Sequence, residues 1–132
     1  MSNSIKLSPR NVPDPLSVPS LSSVTWDGCK LEARVDISLD TASEMKPVYI
    51  IFFWVEGFRM LDEFNLNEFW DKKKKISSWL CEVESGGWLD HEKSRSGFLS
   101  REDNLKEYLI IGQEECLSVF SNTDPVIIEP DL

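Results

Sequence analysis

The sequence predicts an α+β fold, with an antiparallel β-sheet of about five strands and one main α-helix packed on one face. Residues 48–55 run without a charge and are all β-branched or aromatic, which is typical of a strand buried on both faces. Residues 29–39 alternate between apolar and polar side chains, as a half-buried strand does. Between residues 69 and 83, apolar side chains recur at helical spacing.

The length of 132 residues predicts a single domain that is large enough to bury a substantial core. Residues 1–22 are rich in serine and contain four prolines, a density that excludes a helix or a central strand. We therefore expect an extended N-terminal arm over residues 1–22 and one α+β domain over residues 23–132. Three apolar side chains of the arm are candidate anchors onto the core: Leu16, Val18 and Leu21.

Turn signals connect the predicted strands. Asp27-Gly28 is a common tight-turn pair and leads into the alternating strand, and the polar loop at 40–46 favours antiparallel pairing of this strand with the apolar run. Residues 107–112 and 116–121 predict a β-hairpin, and residues 126–128 predict a last edge strand. The helix is expected to begin at Asn65 as N-cap, with Glu68 reaching back, and to end at Gly86-Gly87. Its apolar stripe comprises Phe69, Ile76, Trp79, Leu80 and Val83.

The charge balance bears on the choice of partner. With 23 acidic and 14 basic residues the net charge is −9, which repels nucleic acid and anionic membranes and favours a basic protein partner, although solubility alone is an equally good explanation. No apolar run is long enough to cross a bilayer and no signal-peptide pattern is visible, so a cytoplasmic location is expected. The three cysteines, Cys29, Cys81 and Cys116, lack metal-site spacing and are expected to be small buried residues.

The candidates for catalysis have simpler structural interpretations. The only histidine, His91, could pair with Cys81 and Asp90, but a histidine in a polar loop is more often solvated. The pairs Asp62-Glu63 and Glu114-Glu115 lie in predicted turns, where neighbouring carboxylates usually point apart. No phosphate-binding loop is present. We therefore expect no enzyme, no cofactor and no metal.

The five tryptophans divide by their position in the predicted fold. Trp54, Trp70 and Trp79 are expected in the core. Trp26 and Trp88 lie next to turns, where each could either form the rim of the core or anchor a partner.

Two stretches resemble a known class of proteins. Residues 24–28 lead into the strand that begins at residues 31–35, and the closing segment comprises residues 107–112, 116–121 and Asp124-Pro125. Together they cover about a third of the chain and resemble the immunity proteins of bacterial contact-dependent inhibition and related polymorphic toxin systems. The resemblance implies a small, acidic, cytoplasmic, non-enzymatic protein whose partner is a cognate toxin domain, frequently a nuclease.

The leading hypothesis is therefore an immunity protein that neutralises a basic toxin domain through an acidic surface, without binding nucleic acid or membrane. The alternative is an adaptor or structural subunit of an intracellular assembly, and an enzyme centred on His91 is a third possibility. The oligomeric state stays open. The predicted contact residues, all close to the ends of predicted elements, are Asp62, Glu63, Trp88, Asp90, Glu92, Glu114 and Glu115.

Overall fold

A computed structural model of the chain describes residues 6–9, 12, 19–38, 45–62, 79–85, 87–93, 105–113 and 115–129. Within these ranges the chain forms nine strands and one short helix. In chain order they are β1 (Lys6–Pro9), β2 (Ser20–Trp26), β3 (Leu31–Ser38), β4 (Met45–Phe52), β5 (Val55–Asp62), β6 (Leu80–Ser85), α1 (Trp88–Lys93), β7 (Lys106–Ile111), β8 (Glu115–Ser121) and β9 (Val126–Ile128).

The strands form two antiparallel sheets. The five-stranded sheet has the order β1-β6-β7-β8-β5, and the four-stranded sheet has the order β2-β3-β4-β9. The predicted α+β fold with a main helix is therefore wrong: the described part is almost entirely β, and its helix has six residues.

The core lies between the two sheets. The four-stranded sheet contributes alternate residues of β3 and β4, and the five-stranded sheet contributes alternate residues of β7 and β8, so that the two inner faces pack together as in a β-sandwich. The rings of Phe52 and Tyr108 meet across this interface with centroids 5.6 Å apart. The fully buried residues of these four strands that belong to the central core are Leu31, Ala33, Val35, Ile37, Val48, Ile50, Phe52, Tyr108, Ile110, Leu117 and Val119. Burial of each large apolar side chain contributes about 1.5–3 kcal/mol.

Several predictions about individual strands are confirmed. The alternation in residues 31–38 places the apolar row inside, and β3 pairs antiparallel with β4. β7 and β8 form the expected hairpin, and β9 is the edge strand of the four-stranded sheet. Leu21 packs against the core, as predicted for an anchor of the arm.

The C-terminal end of the predicted helix is instead strand β6. Leu80 pairs with Ile110 and Val83 pairs with Glu107 in the five-stranded sheet. Cys81 and Val83 are buried whereas Glu82 and Glu84 are more exposed, but this alternation is short, and the fully buried Leu80 before it continues the apolar spacing that also fits a helix. Residues 65–78 of the predicted helix lie outside the described residues.

The predicted eight-residue strand at 48–55 is divided between the sheets. β4 ends at Phe52, β5 begins at Val55, and the chain crosses from one sheet to the other at Phe53-Trp54. Trp54 has a φ of 55°, in the left-handed region, which allows the sharp change of direction. We refer to Phe53-Trp54 as the corner.

Part of the predicted N-terminal arm joins the sheet. β1 pairs antiparallel with β6 at the edge of the five-stranded sheet, where a proline such as Pro9 is tolerated. Leu16 and Val18 lie outside the described residues.

At the far end of β8 from the corner, the β7–β8 turn ties the sheets together. Gln113 N donates to Pro19 O (2.8 Å), just before β2, and Gly112 N donates to Glu115 O (2.9 Å). A Cβ atom on Gly112 would lie 2.7 Å from Glu115 O and 3.2 Å from Leu21 N, both backbone atoms. The turn therefore has no room for a side chain at this position.

We predict that Gly112→Ala lowers the free energy of unfolding by about 1–3 kcal/mol, because the methyl group must displace backbone. Urea denaturation measures the effect. Gly57→Ala is the matched control and should cost less, since its closest contact is the Phe120 ring edge at 3.3 Å. A Gly112→Ala variant as stable as the wild type would contradict the tight packing of this turn.

Candidate protein-binding surface

The outer face of the four-stranded sheet carries apolar side chains that are half-buried or exposed. In β4, Val48, Ile50 and Phe52 point into the core, so Tyr49 and Ile51 face outward and are half-buried. Tyr49 pairs with Ile128 and Ile51 pairs with Val126, and the two β9 side chains are 48% and 47% exposed. These four residues, Tyr49, Ile51, Val126 and Ile128, form what we call the outer apolar patch.

Charged side chains border this patch on β3. Glu32 lies opposite Ile51 and Arg34 lies opposite Tyr49. Arg34 Nε is 3.1 Å from Asp36 Oδ1, so its charge is balanced by a neighbouring carboxylate. An apolar centre with a charged rim is the arrangement found in protein–protein interfaces.

The corner presents a large aromatic side chain to solvent. Trp54 is 64% exposed, the most exposed large apolar residue in the described part of the chain, and Phe53 is also exposed. The buried Ser121 donates its hydroxyl to Phe53 O (2.7 Å), and Thr123 Oγ1 donates to the same carbonyl (3.3 Å). Two hydrogen bonds thus fix the backbone that carries Trp54.

An open cleft of about 580 Å³ lies beside Trp54 and is called here the corner cleft. Its walls are the β2–β3 turn at Gly28 and Cys29, the corner and start of β5 from Trp54 to Glu56, and the β8–β9 link at Asn122 and Thr123. Val55 N donates to Cys29 O (3.4 Å) and joins two of these walls. The cleft is therefore built from three connections between strands.

Asp27 shapes the wall formed by the β2–β3 turn. Its Oδ1 accepts hydrogen bonds from Lys30 N (2.7 Å) and Cys29 N (3.0 Å), and Gly28 supplies the left-handed conformation with a φ of 98°. The backbone N–H groups of Lys30 and Cys29 lower the pKa of Asp27 below its ordinary value. The Asp27 carboxylate, which precedes the wall residues Gly28 and Cys29, is therefore ionised at neutral pH.

The lining of the corner cleft favours positive charge. It contains the Glu56 carboxylate and no lysine, arginine or histidine among its described residues. Asn122 Oδ1 is buried and accepts no hydrogen bond from any described residue. The described lining thus combines an exposed indole with one carboxylate.

Of the predicted contact residues, Trp88, Asp90 and Glu92 lie on α1, and Trp88 packs on the outer face of the five-stranded sheet. Trp88 is half-buried between the Phe120 ring, 4.0 Å between centroids, and the Arg59 guanidinium, 4.6 Å from the ring. Its Nε1 donates to Glu92 Oε1 (3.0 Å). The buried Glu107 carboxylate accepts from Leu89 N (2.8 Å) and fixes the helix to β7.

The remaining predicted contacts lie elsewhere. Asp62 and Glu115 are cross-strand partners at the ends of β5 and β8. Glu115 precedes Phe120, the ring under Trp88, by five residues of β8, or about 17 Å of extended strand. Glu63 and Glu114 lie outside the described residues. The structure thus separates the predicted set into two groups, which a large partner surface would have to span.

Two predictions about single residues are wrong. Trp54 is in solvent and not in the core, and Cys29 is exposed, whereas Cys81 and Cys116 are buried as expected. In the sequence, the charge of Glu56 directly after the apolar run is the one sign that a turn is close. Trp26 is 40% exposed and packs against Phe58, with ring centroids 5.5 Å apart.

Comparisons with known proteins found no match among protein-family models, curated proteins or solved structures. In the described ranges, no cluster of three or more histidine, cysteine, aspartate or glutamate residues is arranged to hold a metal ion. No helix in those ranges is long and apolar enough to cross a membrane.

We predict that Trp54→Gly raises the free energy of unfolding by about 0.5–1 kcal/mol. The left-handed conformation costs a residue with a Cβ roughly 1–2 kcal/mol, which glycine avoids. The greater unfolded-state entropy of glycine offsets about 0.5–1 kcal/mol of this gain. Urea denaturation measures the change. Phe53→Gly is the control and should destabilise, because Trp54 is the only described non-glycine residue with a positive φ. A clear loss of stability in Trp54→Gly would mean that the ring contributes to folding.

We also predict that the Asp27 carboxyl titrates below its ordinary pKa of 3.8. Because the folded-state pKa is lowered, the stabilisation that Asp27 provides is present above the unfolded-state pKa and is lost as the pH falls through the folded-state pKa. Asp27→Asn should therefore be less stable than the wild type near neutral pH, with the difference shrinking in acid. Carboxyl NMR titration and denaturation at several pH values test this, and a midpoint at or above 3.8 would contradict it.

Proposed function

We propose that this protein is a non-enzymatic immunity protein that binds and neutralises a cognate basic toxin domain in the cytoplasm. The outer apolar patch and the corner form the centre of its binding surface. The observation that carries the proposal is Trp54, a tryptophan held in solvent at the cost of backbone strain. Strained residues cluster at functional sites, and tryptophan is among the residues most often responsible for binding energy in protein interfaces.

The charge of the chain supports a basic partner. A net charge of −9 speeds the association of a positively charged protein and discourages contact with nucleic acid. A nuclease domain fits this choice, because a site built for phosphate attracts carboxylates. The sequence resemblance to immunity proteins described above also implies a toxin domain, frequently a nuclease, as the partner.

The acidic groups predicted from the sequence have a second role in this proposal. Glu92, Asp62 and Glu115 steer the approaching toxin, whereas the outer apolar patch and Trp54 hold it. Steering charges change the association rate and its dependence on salt, and apolar anchors change the dissociation rate. The two contributions can therefore be measured separately.

The test is co-expression of this protein with the C-terminal domain encoded directly upstream of its gene. We expect that domain to stop growth alone and the pair to grow normally. Failure of the wild type to protect cells against that domain would refute the proposal. Recovery of the protein in a stable assembly with no toxin component would favour the adaptor alternative.

With the purified toxin domain, Trp54→Gly combined with Ile128→Asp should weaken binding by more than about 30-fold, chiefly through faster dissociation, because truncation of a hot-spot tryptophan costs about 2 kcal/mol or more. Glu92→Lys with Glu115→Lys should instead slow association and reduce its salt dependence. Surface plasmon resonance separates the two rates. Glu84→Lys, an exposed acid on β6, is the matched control. Unchanged dissociation in the first variant would refute the assignment of this surface.

A further inference from the structure

We infer that β9 binds the partner by strand addition: a short, extended, basic segment of the toxin domain pairs with the open edge of β9 and continues the four-stranded sheet. The identity of the partner rests on the proposed function, but the capacity of β9 to accept a basic strand rests on the described sheets and their charges.

The first argument is the position of β9 in its sheet. β9 pairs with β4 on one side and has no second neighbour among the described strands. In an edge strand, the backbone N–H and C=O groups on the open side point away from the sheet and can pair with a strand of another protein. Such strand addition is a recurring mode of recognition, in which backbone hydrogen bonds supply affinity and alternate side chains supply specificity.

The second argument is a difference between β9 and the other edge strands. The two described sheets have four edge strands, which are β1, β2, β5 and β9. β1, β2 and β5 each pair with their neighbour through a register shift. Such irregularities disrupt the ladder and turn an edge away from incoming strands. β9 pairs with β4 without a shift, so it is the one edge of the described sheets that keeps a regular backbone.

The side chains of β9 also suit an added strand. Val126 and Ile128 lie on the outer face and are 47% and 48% exposed, whereas Ile127 packs against the core. The partners of the two outward residues are Ile51 and Tyr49 of the outer apolar patch. β-Branched residues favour β-branched or aromatic neighbours on the next strand. A strand with such side chains beside Val126 and Ile128 would extend the patch and remove apolar area from water.

Prolines limit the length of the pairing. Pro125 directly precedes β9, and Pro130 follows Glu129. Because proline has no backbone N–H, it cannot donate to a ladder. Only residues 126–129 can therefore donate to the added strand, so the occupant is a short segment and not a long one.

The charges around β9 favour a basic partner over a second copy of this chain. Asp124 and Glu129 are exposed at the two ends of the strand, and Lys106 Nζ lies 4.0 Å from Asp124 Oδ1. Two copies of β9 paired antiparallel about Ile127 would bring Glu129 of each close to Asp124 of the other, with a net charge of −9 on both chains. Like charges across a strand pair are destabilising, whereas lysine or arginine beside Glu129 would be favourable.

The first test compares amide hydrogen exchange in the full chain alone and in complex with the purified toxin domain encoded upstream. Among residues 126–129, the amides that exchange rapidly in the unbound protein should slow by about ten-fold or more, since each gains a hydrogen bond. A complex that leaves the exchange of residues 126–129 unchanged would overturn the inference.

A proline variant separates backbone pairing from side-chain contact. Adjacent residues of a strand direct their N–H groups to opposite sides, so either Ile127 or Ile128 donates toward the open edge. At the one that exchanges faster, Ile127→Pro or Ile128→Pro should keep the fold, as urea denaturation verifies. It should weaken toxin binding about three- to ten-fold more than alanine at the same residue, because alanine keeps the N–H group. Equal binding of the proline and alanine variants would overturn strand addition.

A second test needs no toxin. Its probes are two blocked hexapeptides, Lys-Val-Thr-Val-Thr-Lys and the same peptide with glutamate in place of both lysines. We expect the lysine peptide to shift the NMR signals of the β9 backbone amides in a saturable way and the glutamate peptide to cause much smaller shifts, a difference that added salt should reduce. Equal shifts with both peptides, or none at β9 with the lysine peptide up to its solubility limit, would overturn the claim that β9 accepts a basic strand.

The inference and the proposed function fail in distinguishable ways. Protection of cells against the toxin without slowed exchange at residues 126–129 would refute strand addition and leave the immunity function standing. Binding of the lysine peptide at β9 without protection would refute the immunity function and leave β9 as a strand-accepting edge. A dimer in sedimentation equilibrium that the proline variant disrupts would show that a second copy occupies the edge, which would overturn the inference.

Discussion

The corner between β4 and β5 is the constraint on which the rest of the structure depends. β4 lies in the four-stranded sheet and β5 in the five-stranded sheet, whose packed faces are about 10 Å apart, and only two residues join them. Three Cα–Cα steps span at most about 11 Å, so the chain must cross almost directly. The hydroxyls of Ser121 and Thr123 hold the crossing in place through the Phe53 carbonyl. The same crossing brings the exposed indole and the corner cleft to one end of the sandwich.

The core explains why so short a connection is stable. The inner rows of β3 and β4 are completely buried against those of β7 and β8, and the Phe52–Tyr108 contact lies directly before the corner. Tyr108 also donates its hydroxyl to Asp124 Oδ1 (2.5 Å), which ties the five-stranded sheet to the segment that leads into β9. The position of β9, and with it the exposed side chains of Val126 and Ile128, therefore depends on the packing between the sheets and not on the short strand alone.

Sequence reasoning succeeded where a long alternation of apolar and polar residues marks a strand, and it failed where this alternation is short or absent. The polar residues between Leu31 and Ile37 reveal the period of two, so β3 and its partner could be predicted with the correct pairing. In β6, Leu80 and Cys81 are both buried, and the spacing of the apolar residues equally fits a helix. Residues 48–55 are all β-branched or aromatic, so their pattern does not reveal that the chain crosses between the sheets at Trp54. The acidity that favours a basic partner was visible in the composition, but the exposed aromatic surface depends on which sheet each strand joins.

Topology accounts for the conformation of Trp54 but not for the residue itself. This chain crosses between the sheets through a left-handed residue, and glycine or asparagine would adopt that conformation at lower cost. A tryptophan there, mostly in solvent, adds strain without the burial that would offset it. A marginally stable domain gains nothing in folding from this choice. Because a partner that covers the indole would recover the apolar area left in water, the identity of residue 54 is better explained by binding than by folding.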